Sequence, residues 1–220
     1  MQNPIHNSTQ QQDHSPLLHE VSILLEKHYH LTGDLQLLAG EVDQNLLLKD
    51  STGGKHLVKL STIPPAEFDF QMSMMDHLQS SKLPFVTPMV VPSDSGNSIP
   101  FADGHLRVHT WVPGRMMDDV NPRSNKVLRL WGAVCGSISK ALEGFDHPEA
   151  HRVYKWDPLQ TLASRPLLTY IATTDRQSIA TYFWEYYESK QSTISTLRKS
   201  VNHNDLHEHN VLCTPDRRHP

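Results

Sequence analysis

The chain has 220 residues and a formal net charge of −4, and hydrophobic residues make up 37% of it. This composition suits one globular domain, divided at most into two lobes, and is not polar enough for a wholly disordered chain. No run of Lys and Arg reaches five residues and no apolar stretch has transmembrane length. We therefore expect neither nucleic-acid binding nor membrane insertion.

Two further features predict the cellular compartment. Cys135 and Cys213 lie far apart and share no metal-site spacing, which argues against a disulfide framework and favours a reducing environment. Residues 1–16 are rich in Gln, Asn and His and lack the apolar and basic segments of a secretory signal. We therefore expect a disordered N-terminus and a cytoplasmic protein.

The first part of the chain predicts a helix followed by strands. Apolar residues recur at helical spacing between Leu17 and Leu25, and Ser15-Pro16 is a typical helix start. Three strand-like segments follow, at residues 35–38, 45–49 and 55–60. The Asp-Ser-Thr-Gly-Gly sequence between the last two is typical of a hairpin turn. An antiparallel meander is therefore expected here.

The rest of the chain becomes increasingly helical. Helical spacing is seen over residues 67–78, 127–142 and 177–197. Short strand-like pieces precede the last two of these helices, at Val90-Val91 and residues 105–112. This order of elements predicts an α+β fold.

We expect two lobes in this fold. A small antiparallel-sheet N-lobe would cover residues 17–112, and a mostly helical C-lobe would cover residues 113–220. The predicted boundary follows the last strand-like piece, where Pro113-Gly114 ends the strand.

The densest polar segment holds the pattern His203-x-Asp205-x-x-x-x-Asn210. An Asp and an Asn five residues apart in a tight loop can serve one phosphoryl transfer, and protein kinases use the same spacing. The Asp205 carboxylate would accept the proton of the attacking hydroxyl. The amide oxygen of Asn210 would bind Mg²⁺. His203 would brace the loop, and Val211-Leu212 would anchor it on a short strand.

This pattern resembles the catalytic loop of the aminoglycoside phosphotransferase (APH) family of small-molecule kinases. Most members carry His-Gly-Asp. The His203-Asn204-Asp205 of this chain resembles the hydroxylysine-kinase-like branch and the kinase domain fused ahead of class III aminotransferases. The resemblance implies a protein-kinase-like bilobal fold. It also implies Mg²⁺-dependent transfer of the γ-phosphoryl of ATP or GTP to a hydroxyl of an amino-bearing small molecule, such as hydroxylysine, an amino alcohol or an aminoglycoside.

Residues for the nucleotide are expected in the N-lobe. Lys59, on the third predicted strand, could reach the α- and β-phosphates, although a solvent-facing strand lysine has the same pattern. The turn from Gly40 through Asp43 to Asn45 would cover the phosphates with backbone N–H groups, or would be an ordinary polar hairpin. Its Gly-Glu-x-Asp-Gln-Asn sequence resembles the aminotransferase-fused kinase branch.

The resemblance also implies a carboxylate partner for Lys59 on the next helix and a hinge for the nucleotide base. Gln71 stands where the family has Glu, so Glu67 is the candidate partner, although an exposed acid in a first helical turn has the same pattern. Trp111 lies at the hinge position, where backbone groups would bind the base. Asp157 has two equally good interpretations, a helix N-cap and a substrate contact.

Two alternatives to an active kinase are open. The family's second metal-binding Asp, in a DFG-like motif, has no acceptable counterpart, because Asp216 lies in a turn-like Pro-Asp-Arg-Arg sequence. We therefore expect an incomplete C-lobe, and a fragment or pseudokinase that only binds nucleotide is one alternative. The other is a zinc protein whose ligands come from the His203–His209 loop, namely His203, Asp205, His207 and His209.

Overall fold

A computed structural model describes residues 14–154 and 156–214 of the chain. They fall into two units. The sheet unit contains the residues up to Pro65 together with Thr87–Val112, and the helical unit contains Ala66–Val86 together with the residues from Pro113 onward. This division is finer than the single boundary predicted after residue 112. Residues 1–13 of the predicted disordered N-terminus (1–16) and Asp216 lie outside the described residues, whereas Ser15 and Pro16 belong to a helix, so the disordered segment was predicted too long at its end.

The sheet unit consists of one helix and six antiparallel strands. Their bounds are α1 Ser15–Tyr29, β1 Gly33–Leu38, β2 Gln44–Asp50, β3 Lys55–Ser61, β4 Val90–Val91, β5 Ile99–Phe101 and β6 Gly104–Thr110. The strand order is β1-β2-β3-β6-β4, and β5 pairs with β6. The predicted meander of three strands is confirmed, with ends that differ by one or two residues.

The sheet has one apolar face and one face of mixed polarity, since side chains alternate along each strand. Apolar residues of the sheet pack with α1 in one core: Val21, Leu25, Tyr29, Leu46, Leu48, Val58, Leu60, Ile99, Leu106 and Val108. The intervening residues form the opposite face. There the register places Asn45 beside Lys59 and Lys59 beside Arg107. The sheet therefore lines up three polar side chains in one row.

The turn between β2 and β3 is organised by one carboxylate. Asp50 Oδ1 accepts hydrogen bonds from the Thr52 hydroxyl (2.7 Å) and from the Thr52 and Gly54 backbone N–H groups (both 2.8 Å). Asp50 Oδ2 lies 2.9 Å from His56 Nε2. The hydrogen bond from the Thr52 hydroxyl, followed by the contact with His56, lowers the pKa of Asp50 well below its usual value. The ionised carboxylate is therefore the form that stabilises the hairpin.

Replacing Asp50 by Asn should lower the urea midpoint of unfolding at pH 7, and the loss should shrink towards pH 3. A carboxyl whose pKa is lowered by folding stabilises the chain fully above its unfolded pKa of about 3.9, and loses that contribution as the pH falls. Urea unfolding at both pH values measures the difference. Asp34→Asn, at an exposed carboxylate on β1, is the matched control. An equal loss at the two pH values would contradict the electrostatic account.

The helical unit contains four helices, two 3₁₀ segments and a two-stranded sheet. Their bounds are α2 Pro65–Ser80, β7 Arg115–Met116, α3 Asn125–Ala141, 3₁₀ turns Pro148–His151 and Pro158–Tyr170, α4 Thr174–Ser189, α5 Gln191–Ser195 and β8 Leu212–Cys213. The α+β order predicted from the sequence is thus confirmed. No helix in the described ranges is both long and apolar enough to cross a bilayer.

One predicted helix is wrong in its extent. The helix expected over residues 177–197 is two helices, α4 and α5, which are separated at Lys190. The Lys190 N–H donates to the Tyr187 and Glu188 carbonyls, and this tightened turn ends α4. The Ser and Thr residues that follow favour turns over continued helix, because their hydroxyls bond to nearby backbone groups.

Residues Pro158–Tyr170 form a 3₁₀ helix, and no element was predicted for this segment. Asp157 is its N-cap, since its carboxylate accepts from the Leu159 N–H at 2.9 Å. Pro166 lies inside the segment, and a proline there has no N–H for a regular α-helical ladder. The N-cap interpretation of Asp157 is therefore confirmed.

Candidate active site

The polar segment around Asp205 is held at its middle and at its C-terminal end by other residues of the helical unit. The indole Nε1 of Trp131, on α3, donates to the Leu206 carbonyl at 2.9 Å. The Met117 N–H donates to the Val211 carbonyl at 2.9 Å, and β8 pairs with β7. The short strand predicted after the loop is thus present. These contacts hold residues 201–210 as a defined loop, which we call the Asp205 loop.

Asn210 reaches back across the loop to Asp205. Its amide Nδ2 donates to the Asp205 backbone carbonyl at 2.8 Å and to the carboxylate Oδ2 at 2.9 Å. The side chain of Asp205 is 67% exposed, so an acceptor hydroxyl could approach it. Because the amide nitrogen is used in this way, the carbonyl oxygen Oδ1 of Asn210 is the atom suited to a cation.

His203 contacts the loop in the way that a bracing residue would. Its ring Nδ1 accepts a hydrogen bond from the Asp205 backbone N–H at 3.3 Å. Desolvation by the surrounding protein lowers the pKa of His203, and the charge of Asp205 opposes this only in part. A neutral ring is therefore favoured, and a neutral ring can leave Nδ1 unprotonated to accept this bond.

Asn204 occupies a backbone conformation that few residues accept. Its φ is +60°, in the left-handed region. Asn and Gly enter that region far more readily than residues with larger side chains. Asn204 is thus suited to the left-handed backbone that this position of the loop requires.

Replacing Asn204 by Gly should leave stability and the loop geometry intact. Asn204→Val should instead lower the free energy of unfolding by about 1–2 kcal/mol, because a β-branched side chain is strained at positive φ. Urea unfolding of the two variants measures this difference. Asn202→Val is the matched control, since Asn202 lies in the same loop and has a negative φ. Equal losses for Asn202→Val and Asn204→Val would refute the backbone argument.

His207 is a site residue that the sequence motif did not single out as part of a kinase. Its Nδ1 accepts the His209 backbone N–H at 3.3 Å, so a neutral ring carries its proton on Nε2. That Nε2 lies 3.4 Å from Asp205 Oδ1. His207 and Asn210 thus approach different oxygens of the same carboxylate. The position of His207 two residues after Asp205 was the signal available in the sequence.

The side chains of the Asp205 loop can be compared with the metal ions proposed for it. Among residues 14–154 and 156–214, no group of three or more His, Cys, Asp or Glu side chains is placed to hold a metal ion. The ring nitrogens Nδ1 of His203 and His207 already accept backbone hydrogen bonds. Asn210 offers an amide oxygen, which is a type of ligand that Mg²⁺ accepts. The zinc alternative therefore gains no support from the structure.

The predicted phosphate turn of the sheet unit is tightly closed. Asn45 Nδ2 donates to the Ala39 carbonyl at 3.2 Å and ties the two ends of the turn together. A Cβ added at Gly40 would collide with the Asp43 carbonyl oxygen. Gly40 is thus required by a close backbone approach, whatever the turn binds.

Asp43 projects from this turn onto the sheet. Its Oδ2 lies 2.7 Å from Lys59 Nζ and 3.2 Å from Arg107 Nη2. Burial alone would raise the pKa of Asp43, but the hydrogen bonds and charges of Lys59, Ser61 and Arg107 together hold it below its usual value. Asp43 is therefore ionised and paired with two cations. The sequence motif gave no sign that Arg107 belonged to this group.

Lys59 has a different partner from the one predicted. The carboxylate expected on helix α2 was Glu67, but Lys59 forms its ion pair with Asp43. Glu67 Oε1 lies 3.5 Å from Arg152 Nη2, and the Arg152 guanidinium also stacks over Phe70. Asp43 is thus the observed partner of Lys59 within the sheet unit, and a pairing of Lys59 with Glu67 stays a prediction.

Trp111 follows the end of β6 as the hinge prediction requires. The preceding Thr110 pairs with Met89, through its N–H to the Met89 carbonyl at 2.8 Å. Trp111 itself is half-buried and outside regular structure. Base binding by the backbone near Trp111, and nucleotide binding by Glu67, stay predictions.

Solved structures show which known fold this chain shares. The structure of a microcompartment-associated aminopropanol kinase matches with a TM-score of 0.65 and 17% identity, over 88% of this chain and 64% of that one. Spectinomycin phosphotransferase, solved with ADP and spectinomycin, matches with a TM-score of 0.59 and 13% identity, over 90% and 66% of the two chains. The fold is therefore the protein-kinase-like fold of small-molecule phosphotransferases.

The sequence comparison places the chain within that class. The pattern of the phosphotransferase enzyme family, APH, matches residues 34–219, so the chain belongs to this family. The hydroxylysine kinase of Bos taurus is 27% identical over 128 residues, which are 56% of this chain and 33% of that protein. The hydroxylysine kinase of Danio rerio is 24% identical over 216 residues, which are 90% and 60%.

The chain thus spans from a third to three-fifths of the length of these curated relatives. The predicted family membership and fold class are confirmed. The fusion to an aminotransferase and the incomplete C-lobe stay predictions.

Proposed function

We propose that the protein is a small-molecule kinase that transfers the γ-phosphoryl of ATP or GTP to a hydroxyl of an amino-bearing small molecule. One observation carries the proposal. Asn210 and Asp205, five residues apart, share a hydrogen bond within a loop braced by His203. The carboxylate and the amide oxygen of such a loop are the two groups that phosphoryl transfer requires.

The catalytic step follows from the two groups of the Asp205 loop. Asp205 accepts the proton of the acceptor hydroxyl as its oxygen attacks the γ-phosphorus, and the nucleoside diphosphate leaves. Asn210, through Oδ1, would hold Mg²⁺. When bound, this ion offsets the charge of the β- and γ-phosphates. Lys59 would hold the α- and β-phosphates as a point charge.

Family relatives support the class of acceptor and donor. The matched relatives are named for hydroxylysine and for aminopropanol, each of which carries both an amino group and a hydroxyl group. Spectinomycin phosphotransferase was solved with ADP. An amino alcohol is therefore the acceptor we expect, with a purine nucleoside triphosphate as the donor. A cytoplasmic location is part of the same proposal.

Turnover with a panel of amino alcohols tests the proposal. The 220-residue chain, and any longer product of the same gene, would be incubated with Mg²⁺, ATP or GTP, and hydroxylysine, aminopropanol or an aminoglycoside. Acceptor-dependent release of nucleoside diphosphate is the expected result. Nucleotide binding without turnover in any product would instead support the pseudokinase alternative. The absence of both binding and turnover would refute the proposal.

A further inference from the structure

Arg107 shares the carboxylate of Asp43 with Lys59 in the sheet unit. Both cations approach the same oxygen, Oδ2, at 3.2 Å and 2.7 Å respectively. The side chain of Arg107 is only 3% exposed, whereas that of Lys59 is 26% exposed and that of Asp43 is 10% exposed. Two cations on one carboxylate leave this group of three side chains with a net charge of +1.

Strand pairing fixes this arrangement. Lys59 on β3 pairs in register with Arg107 on β6 and with Asn45 on β2. Asp43 enters the row from the turn that precedes β2, and Asn45 ties that turn by donating to Ala39. Backbone ladders therefore set the order of Asn45, Lys59 and Arg107, and the turn before β2 places Asp43 beside them.

Arg107 and Lys59 depend on Asp43 to different degrees. A guanidinium as buried as Arg107 needs a nearby anion, since an unpaired buried charge is strongly destabilising. Burial lowers the pKa of Arg107, and Asp43 opposes that shift by its charge and its hydrogen bond. Lys59 is more exposed and so depends less on the carboxylate. Asp43 thus lies nearer to Lys59, at 2.7 Å, and at the same time stabilises the more deeply buried charge of Arg107 at 3.2 Å.

His109 is a buried histidine close to the charges of Arg107 and Lys59. Its ring is buried, and neither ring nitrogen has a hydrogen-bond partner among the described residues. Burial, followed by the positive charges of Arg107 and Lys59, lowers the pKa of His109 to about 3, and Asp43 offsets little of this. A neutral His109 ring therefore adds no charge to the row, whose positive charges are those of Arg107 and Lys59.

We propose that Arg107 is a positioning residue for the phosphates of a nucleoside di- or triphosphate. Because Arg107 shares the Asp43 carboxylate, that carboxylate cannot neutralise Lys59 fully. One positive charge therefore stays available for the phosphates. This inference rests on the proposed function. Without Arg107, Asp43 and Lys59 would form a one-to-one ion pair with no net charge. Phosphate binding would then have to break that pair.

Replacing Arg107 by Met should weaken binding of ADP and ATP roughly tenfold or more, because one unit charge is lost close to the phosphates. Binding of adenosine, which has no phosphate, should not change. Calorimetric titration of adenosine, ADP and Mg-ATP measures the affinity gained per phosphate. Arg129→Met, at an exposed arginine of α3, is the matched control. Arg107→Lys should retain most of the wild-type affinity, because it retains the charge.

A double variant separates charge from structure. Asp43→Asn combined with Arg107→Met restores the net charge of +1 on Lys59. The affinity for ADP should therefore return to within a few fold of the wild type. It also avoids a buried unpaired charge, so it tests the inference even if a single variant unfolds. If Arg107 only supported the fold, the double variant would bind as poorly as Arg107→Met or worse, and that result would overturn the inference.

Failure of this inference can be told from failure of the proposed function. Wild-type chain that binds ADP no better than adenosine would refute nucleotide-phosphate binding altogether. The wild-type chain could bind ADP well while the Arg107→Met variant kept the full gain in affinity that the phosphates provide. That result would refute only the role of Arg107. Thermal unfolding of each variant confirms that affinities are compared between folded proteins.

Discussion

Replacing Asp205 by Asn should lower turnover by roughly 10²–10⁴-fold and leave the affinity for Mg-nucleotide nearly unchanged. The carboxylate would be the group that accepts the proton of the acceptor hydroxyl, and an amide cannot do this. An amide oxygen at position 205 could still accept the hydrogen bond that Asn210 now donates at 2.9 Å. The loop should therefore keep its shape. Steady-state kinetics and calorimetric titration of nucleotide measure the two effects separately.

Asp175→Asn is the matched control for this experiment, because Asp175 is an exposed acid at the start of α4. The control should keep wild-type turnover. Asp205→Glu keeps the carboxylate but displaces it. Its turnover should therefore lie between that of the wild type and that of Asp205→Asn. Unchanged turnover in Asp205→Asn would remove Asp205 from the role of base. Lost nucleotide binding in that variant would indicate a positioning role in its place.

Local sequence signals were sufficient for much of the fold. The hairpin between β2 and β3 was predicted from Asp50 through Gly54, because that turn is built from contacts among those same residues. The helix α3 was predicted because apolar residues recur in it with a period of 3.6, as they do on the buried face of a helix. The Asp205 loop was found because its two groups are five residues apart and meet within one loop.

Contacts between distant segments could not be predicted in this way. Arg107 meets Asp43 because β6 pairs with β3, and the spacing of residues along one strand does not reveal its neighbour. A signal was nevertheless present, since Arg107 and His109 alternate with the buried Leu106 and Val108. That alternation places both polar residues on the face opposite the core. The ion pair between Lys59 and Asp43 likewise joins two segments whose contact no local spacing reveals.

Replacing Asn210 by Leu should raise the Mg²⁺ concentration needed for half-maximal turnover by roughly tenfold or more, a loss typical of disturbed metal sites. The substitution removes the amide oxygen that would bind the ion. It also removes the Nδ2 donor to Asp205, so turnover at saturating Mg²⁺ should fall too. Activity measured across a Mg²⁺ series gives both quantities from one experiment. Asn202→Leu, at an exposed residue of the same loop, is the control.

Asn210→Asp separates the two roles of the amide. An aspartate retains an oxygen for Mg²⁺ but cannot donate to Asp205, and it places a second negative charge beside that carboxylate. Turnover should then recover at high Mg²⁺ more fully than in Asn210→Leu, because the cation offsets the added charge. Equal Mg²⁺ dependence in the wild type, Asn210→Leu and Asn210→Asp would mean that Asn210 only shapes the Asp205 loop. The metal would then have to be held by other oxygen atoms of the protein.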